Sequence, residues 1–280
     1  MTGRRRRRAD RRGMILLNVL IVVAIAAAAV TVMIVAQDIE VRRSIRLHDA
    51  AQAQAYARAG ELSAAVALRR DALTTPMIDT VSEPWAQIGQ QTIAIPGGSF
   101  ALSIADEQAR FNVNAVAKGD AISSFALVNI GEAAGVSRQT INFIAAAVLA
   151  LGPLRDDGPL RTSGIDPAEL DRLAPYIVFL PEDATLNINT ADPALVGTIL
   201  RDPAIVRRVL DRRRQGGLSP EDVAALGATG LIGAGSSHFR VETTVRVGDV
   251  VRRTSSRIER IATPLGPRVA VTARRRLPAG

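Results

Sequence analysis

The apolar positions of this chain change their period along its length, and each change marks a different kind of element. From Met14 to Ala36 they run almost unbroken, with Asn18 and Thr31 as the two clearly polar positions. A run of that length is what a helix needs to cross about 30 Å of hydrocarbon. From Gln37 to about Leu73 there is no proline and Ala, Leu, Arg and Gln dominate, so the same helix is predicted to continue. Within it Tyr56, Ala59, Leu62 and Val66 recur every three or four residues, an apolar stripe that needs a partner surface, on its own domain or on a neighbouring helix.

Beyond the helix the period falls to two. "QTIAI" and "SFALSIADEQARFNVN" read as short strands, separated by turns at Pro76, Pro84 and Pro96 with Gly97 and Gly98. Asp106 and Glu107 are neighbours in such a strand and point to opposite faces, so they do not make a paired acid/base site; a hairpin turn is the expected role. Near the end Phe239, Val241, Val245 and Val247 alternate with polar residues, Gly248-Asp249 turns the chain, and Pro264 to Pro267 break it again before "RVAVTARR".

Between these strand regions lie repeated helix starts. Ser137 is placed to cap a helix carrying Ile141, Ile144, Val148 and Leu151, and four more starts pair a capping residue with proline: Asp166-Pro167, Asp192-Pro193, Asp202-Pro203 and Ser219-Pro220. Glu169 falls at the third helical position after Asp166, close to a capping box. Asn187 and Asn189 read as turn and cap residues. The expected fold is therefore α+β: an N-terminal helix packed on a sheet that is split in sequence by a helical insertion. Its expected parts are a basic leader (1–13), a membrane-spanning segment (14–36), the rest of the N-terminal helix (37–73), a first sheet portion (74–120), the insertion (121–234) and a second sheet portion (235–280).

Charge sharpens the reading of the first part. The formal charge is +8, but the first thirteen residues hold seven arginines and one aspartate, a net of +6, which leaves +2 for the rest. The basicity is mostly a terminal tag and not a surface built for polyanions. Placed directly before the apolar run, it would hold that end in the cytoplasm and send the bulk of the chain outward. A removable secretory signal has a shorter apolar core ending in a small-x-small site, and Ile34 stands where that site would need a small residue. There is no cysteine, so neither disulfides nor thiolate metal sites are available.

A short basic leader ending in Gly13, followed by Met14 and a helix apolar from its first turn, resembles the prepilin-peptidase signal of type IV pilins and type II secretion pseudopilins. The resemblance implies cleavage between Gly13 and Met14, methylation of the new terminus, and retention of the apolar helix. The fifth residue after the cut is Asn18, where most of that class carry glutamate. In that class the carboxylate is thought to pair with the terminal amine of the neighbouring subunit, which offsets its cost in lipid. An asparagine brings no charge to that pairing, so this subunit would accept later subunits below it without docking onto one above.

The succession "RRGMILLNVLIVVAI", "EPWAQ", "IADEQARFNVNAV", "LNINTADPALVGTIL", "VLDRRRQGGLSPEDV" and "SSHFRVETTVRVGDV" resembles the minor pseudopilin K family of the type II secretion system, also called general secretion pathway protein K. That family implies an anchored pilin-like helix on an antiparallel sheet with a large all-helical insertion, similar to SAM and helix-hairpin-helix units. It also implies a place at the tip of a periplasmic pseudopilus. The implied partners are the I-type and J-type minor pseudopilins, the major pseudopilin, the prepilin peptidase and the inner membrane, with secreted substrates left open. Cleavage would involve Gly13 and Met14, assembly Asn18, and partner-helix packing Tyr56, Ala59, Leu62 and Val66. The family's calcium-associated acidic loop is not carried over: here the region reads "INFIAAAVLALGPLRDDGPLRTSG", with only Asp156 and Asp157, whereas calcium takes six to eight oxygens. No metal and no cofactor are expected.

Two rival readings compete. "LNINTADPALVGTIL" also resembles the start of a helix-hairpin-helix unit, which in competence-type proteins grips DNA, and Arg207, Arg208, Arg212, Arg213 and Arg214 could form a basic face. Where that hairpin would need glycines the chain has "LRDPA", so structural use of the segment is favoured over nucleic-acid binding. A minor pilin of a related type IV machine is the nearer alternative. Catalysis is not expected: His48 and His238 lie in different elements, and no nucleophile motif accompanies either.

Overall fold

The computed structural model describes residues 6–89, 92–228 and 230–278, with side chains described from residue 14 onward. Helix α1 runs without a break from Arg6 to Thr74, so the membrane-length segment and the stalk are one rod. Residues 1–5 of the leader lie outside the described residues. A single-turn helix α2 (Pro84–Gln87) then leads to strands β1 (Ile93–Ile95) and β2 (Gly98–Asp106). One short 3-10 turn (Glu107–Ala109) follows β2, strand β3 (Phe111–Asn112) comes next, and a second 3-10 turn (Val113–Lys118) is capped by Gly119.

The insertion holds α3 (Ala121–Ala133), α4 (Arg138–Leu151), α5 (Gly158–Arg161) and α6 (Pro167–Leu173), then two-residue strands β4 (Ile177–Val178) and β5 (Leu186–Asn187). It continues with α7 (Pro193–Leu200), α8 (Pro203–Arg214), α9 (Pro220–Ala224) and β6 (Ile232–Gly233). All five expected caps form: the side chains of Ser137, Asp166, Asp192, Asp202 and Ser219 each accept a backbone amide from the first turn of their helix. The capping box forms at Ser219 with Asp222. Glu169 does not close one on Asp166; it reaches across to the neighbouring helix start, accepting from the Ser137 amide and the Thr140 hydroxyl. The expected all-helical character is modified in one respect, because β3 pairs with β4 and β5 with β6, both in parallel.

The last three strands, β7 (His238–Val247), β8 (Val250–Ile261) and β9 (Arg268–Leu277), complete a five-stranded antiparallel sheet in the order β1-β2-β7-β8-β9. The β2–β7 pairing, from Gly98 opposite Val247 to Asp106 opposite Phe239, joins the two sheet portions across the whole insertion. On one face of this sheet lies α1, which buries Ala53, Ala57, Ala64 and Leu68 against Phe239, Val241, Val245, Val247 and Ile258. The contact depends on small residues. A Cβ at Gly60 would come within 2.6 Å of the Phe100 ring, so glycine there lets the rod lie close to the strands.

The insertion begins earlier than expected, directly after Asp106, because Phe111 and Asn112 pair with β4 and not with the five-stranded sheet, and within it one device is used twice. In "FNVN" and "LNIN", Asn112 and Asn187 each accept the amide of the asparagine two residues on. That second asparagine then pairs like a peptide group with a distant leucine: Asn114 both donates to the Leu154 carbonyl and accepts its amide, and Asn189 does the same with Leu218. Two helices separate the asparagine pair from its leucine in each case. The insertion is thus two similar units, each closed by a buried side-chain amide.

A buried polar seam joins insertion, sheet and rod. Asp106 is not in a hairpin turn; it ends β2 fully buried and accepts from Asn187, Thr190, Ser236 and the Gln108 amide. Glu107 turns the other way, is also buried, and pairs with Arg257 and Arg110. Asn187 and Asn189 likewise do more than cap: Asn187 donates to Asp106, to Ser236 and to the Asp79 carbonyl, and Asn189 to the Ala234 carbonyl. Arg260 lies beside this group, donating to Asp71 of α1 and to Asp79, with its guanidinium 4.4 Å from the centre of the Phe239 ring. Trp85 meets the same ring edge-on at 5.1 Å.

Asn187→Ala should lower unfolding free energy by roughly 2–4 kcal/mol, because it leaves several buried polar groups without partners; Leu68→Ala should cost about 2–5 kcal/mol by opening a cavity under the rod. Both are read by urea denaturation of the full chain in detergent. The pH dependence follows from burial. Burial pushes Asp106 up to about 6 against the pull of Ser236, Thr190 and Asn187, and pushes Asp71 up to about 6 with Glu83 adding to the rise. Both folded-state values lie above the unfolded one, so the folded state holds these protons more tightly. Their contribution to stability is complete below about pH 4 and is lost as pH rises through about 6. The denaturation midpoint should therefore rise between pH 7.5 and 5, and Asp106→Asn should flatten that rise; an unchanged slope in the variant would exclude this carboxyl as a source.

Candidate functional site

The exposed surface of α1 carries the features a partner would use. From Met14 to Val35 every large apolar side chain is exposed, and none of the most apolar stretch is buried against the rest of the chain. The helix is long and apolar enough to cross a membrane. Asn18 lies exposed one helical turn after Met14. Of Gly13 and the residues before it, only the helical course from Arg6 is described.

The expected stripe divides. Tyr56 is half-buried against the upper sheet near Val245 and Val247. Ala59, Leu62 and Val66 face away from the sheet, with Leu62 67% and Val66 60% exposed. The sheet instead takes the row Ala53, Ala57, Gly60, Ala64 and Leu68, which sequence reasoning missed because its members are mostly small. Their spacing of three and four was the available signal. The rod thus has two apolar sides, a small-residue side on its own sheet and a large-residue side left open.

Val66 stands between two grooves. One, of about 460 Å³, runs between Leu62, Val66 and the β8–β9 turn at Leu265 and Pro267; Leu265 is wholly exposed. The other, of about 490 Å³, lies between Val66, Arg70, Thr74 and Trp85. With Leu73, Met77 and Val81 also exposed, the apolar surface continues past the end of the rod. Scattered apolar residues are ordinary on a surface, but a ridge flanked by grooves, on a helix whose other end is long and apolar enough to cross a membrane, has the form of an interaction site.

The other residues singled out in the sequence fall elsewhere. His48 is exposed on α1, while His238 is buried beside Gln108, and burial lowers its pKa. Asp157 pairs with Arg161, and Asp156 accepts from the Gly158 amide. A closer acidic group, Asp71, Asp79 and Glu83, went unpredicted because its members meet only through the fold. The Arg260 guanidinium already joins Asp71 to Asp79, and Glu83 accepts from the Thr80 amide and the Trp85 indole. Among the basic residues of α8, Arg212 pairs with Asp222, Arg214 with Asp211, and Arg213 donates to the Ala191 carbonyl. At the hairpin between α7 and α8, Arg201 adopts the left-handed conformation that a glycine usually supplies (φ 61°).

No protein-family model matches the chain. It is 27% identical to the type II secretion system protein K of Pseudomonas aeruginosa over 263 aligned positions, covering 78% of this chain and 79% of that one. It is 28% identical to the protein of the same name from Klebsiella pneumoniae over 206 positions, covering 58% of this chain and 63% of that one. Its fold matches a chain in the crystal structure of the GspK–GspI–GspJ complex from the enterotoxigenic Escherichia coli type 2 secretion system. The TM-score is 0.68 at 18% sequence identity, over 85% of this chain and all of that one. In sequence this chain is thus similar over most of its length to type II secretion system K proteins, and in fold it is similar to a chain of the GspK–GspI–GspJ complex.

Proposed function

We infer that this chain is a minor pseudopilin of a type II secretion system, an assembly component and not an enzyme. The single observation that carries the reading is the rod: one helix that can anchor in a membrane, fixed to a sheet by its small-residue side and open to partners along Leu62 and Val66. It stands in a chain whose relatives bear the protein K name and whose fold recurs in one chain of the GspK–GspI–GspJ complex. In this reading the basic leader stays in the cytoplasm, the protein crosses the inner membrane once, and sheet and insertion lie in the periplasm. The prepilin peptidase cuts between Gly13 and Met14 and leaves the anchor in place.

The physical logic of the tip follows from Asn18. A buried carboxylate in lipid is stabilised by a neighbouring amine, and a subunit with asparagine there cannot provide that pairing. It can still present its own terminal amine to the carboxylate of the next subunit. Growth below it is allowed and growth above it is not, which is the behaviour of a first subunit. I-type and J-type minor pseudopilins are the partners proposed for the Leu62–Val66 ridge, with the major pseudopilin following. The bulky insertion then projects beyond the anchored bundle.

Co-expression with the I-type and J-type proteins tests the reading. The three should co-purify from detergent extracts, and Leu62→Glu combined with Val66→Glu should reduce recovery of the partners by at least ~10-fold, as expected for charges placed in a packed apolar contact. The same pair of changes should leave stability within about 0.5 kcal/mol, since both side chains are exposed. Undiminished co-purification of the variant would reject this face as the site of contact.

A further inference from the structure

On the face of the sheet away from α1, a cleft of about 360 Å³ opens between β7, β8 and β9 and the insertion. Six arginines line it, Arg110, Arg155, Arg240, Arg257, Arg274 and Arg275, against three acids, Glu107, Asp156 and Asp157, a net of +3. Those acids are engaged: Glu107 by Arg257 and Arg110, Asp157 by Arg161, and Asp156 by a backbone amide. Arg274 is held from the other side by both oxygens of Glu61, at 2.8 and 2.7 Å. Arg155 and Arg275 then carry no ion pair among the described residues, and Arg240 pairs only with Glu242, which does not line the cleft. Arg155 and Arg275 are exposed, and the Nε of Arg240 is buried without a hydrogen bond, although a Glu242 oxygen lies 3.4 Å away.

The positive charges crowd one another. Burial and then the nearby Arg240 push the Arg110 guanidinium below its ordinary range, with Glu107 opposing. A concave, partly apolar surface with an excess of one sign of charge concentrates its field and attracts anions. Between the cations the cleft offers carbon, from Ala174, Phe179 and Ala273. Strand β9 is the edge of the sheet, and Arg274, Arg275 and Arg276 stand in a row on it. Such an edge repels a second copy of itself and admits an acidic strand.

We propose that this cleft docks an acidic segment of a partner protein, its carboxylates on Arg155, Arg240 and Arg275 and an aliphatic side chain on the apolar floor. An open edge strand beside several separate cations favours a peptide over a single small anion. Arg240 opposes Arg257, Arg257 opposes Ala273, and Arg275 lies two residues further along β9, so the backbones of Arg240 and Arg275 are about 12 Å apart. Position excludes lipid headgroups. The Glu61–Arg274 pair fixes this part of the sheet at a level about 37 Å along the helix from Ala36, the end of the apolar span. Arginine clusters are a general means of holding acidic motifs.

The test uses the full chain in neutral detergent and a short fluorescein-labelled peptide of alternating Glu and Leu, followed by fluorescence anisotropy. Binding should weaken as salt is raised, and should fall by at least ~10-fold when Gln replaces every Glu or when the protein carries Arg155→Gln with Arg275→Gln. Arg42→Gln with Arg43→Gln on the stalk should leave it unchanged. Three results would overturn the proposal: equal binding of the Gln peptide, equal binding by the Arg155/Arg275 variant, or displacement of the peptide by an equal concentration of inorganic phosphate, which would mark a small-anion site instead.

Discussion

The buried guanidinium of Arg260 is the joint on which the arrangement of this molecule depends. It reaches Asp71 at the end of the rod and Asp79 just beyond it, and covers the Phe239 ring at the foot of β7. Buried ion pairs add little net stability compared with apolar packing, but removing one partner leaves a charge in low dielectric and is strongly destabilising. The value of the joint is therefore geometric. The last turns of α1 are bound to the sheet at a fixed point, so the direction of the whole rod relative to the sheet is set there and at the close contact made by Gly60.

The same seam passes into the insertion. Asp79 gives its carbonyl to Asn187 and a carboxylate oxygen to the Ser236 amide, while Asp106 collects Asn187, Thr190 and Ser236. A chain that leaves the sheet after Asp106 and returns at Ser236 is thereby closed at its own doorway, and the β2–β7 pairing can proceed as if nothing intervened. Within the insertion two asparagine-closed units repeat the principle at smaller scale, each using one side-chain amide as a substitute peptide group. Rod, sheet and insertion are thus joined through one continuous buried polar seam.

Much of this was legible because the governing rules are local. Cap residues act within one turn, so Ser137, Asp166, Asp192, Asp202 and Ser219 could be read without knowing the fold, and so could the β7–β8 turn at Gly248-Asp249 and the uninterrupted rod. What failed was long-range. Asp106 looked like a turn residue because its partners lie 81 to 130 positions away, and Glu107 because Arg257 lies 150 away. Asn187 and Asn189 showed their turn and hid their bridges. On α1 the larger side chains Leu62 and Val66 dominate the sequence pattern, whereas the face used internally is the row of Ala and Gly whose packing depends on proximity and not on area. The repeat of Asn-x-Asn at 112 and 187 was visible in the sequence, and its meaning appears only when the leucines that close each unit are seen.

In the proposed role the apolar helix persists in the working protein as its anchor, with a new terminus created just ahead of it. Amino-terminal sequencing of the protein recovered from membranes of cells that contain a prepilin peptidase addresses this directly. The expected terminus is Met14. A protein that keeps Met1, or one that begins at Gln37 or beyond, would contradict it.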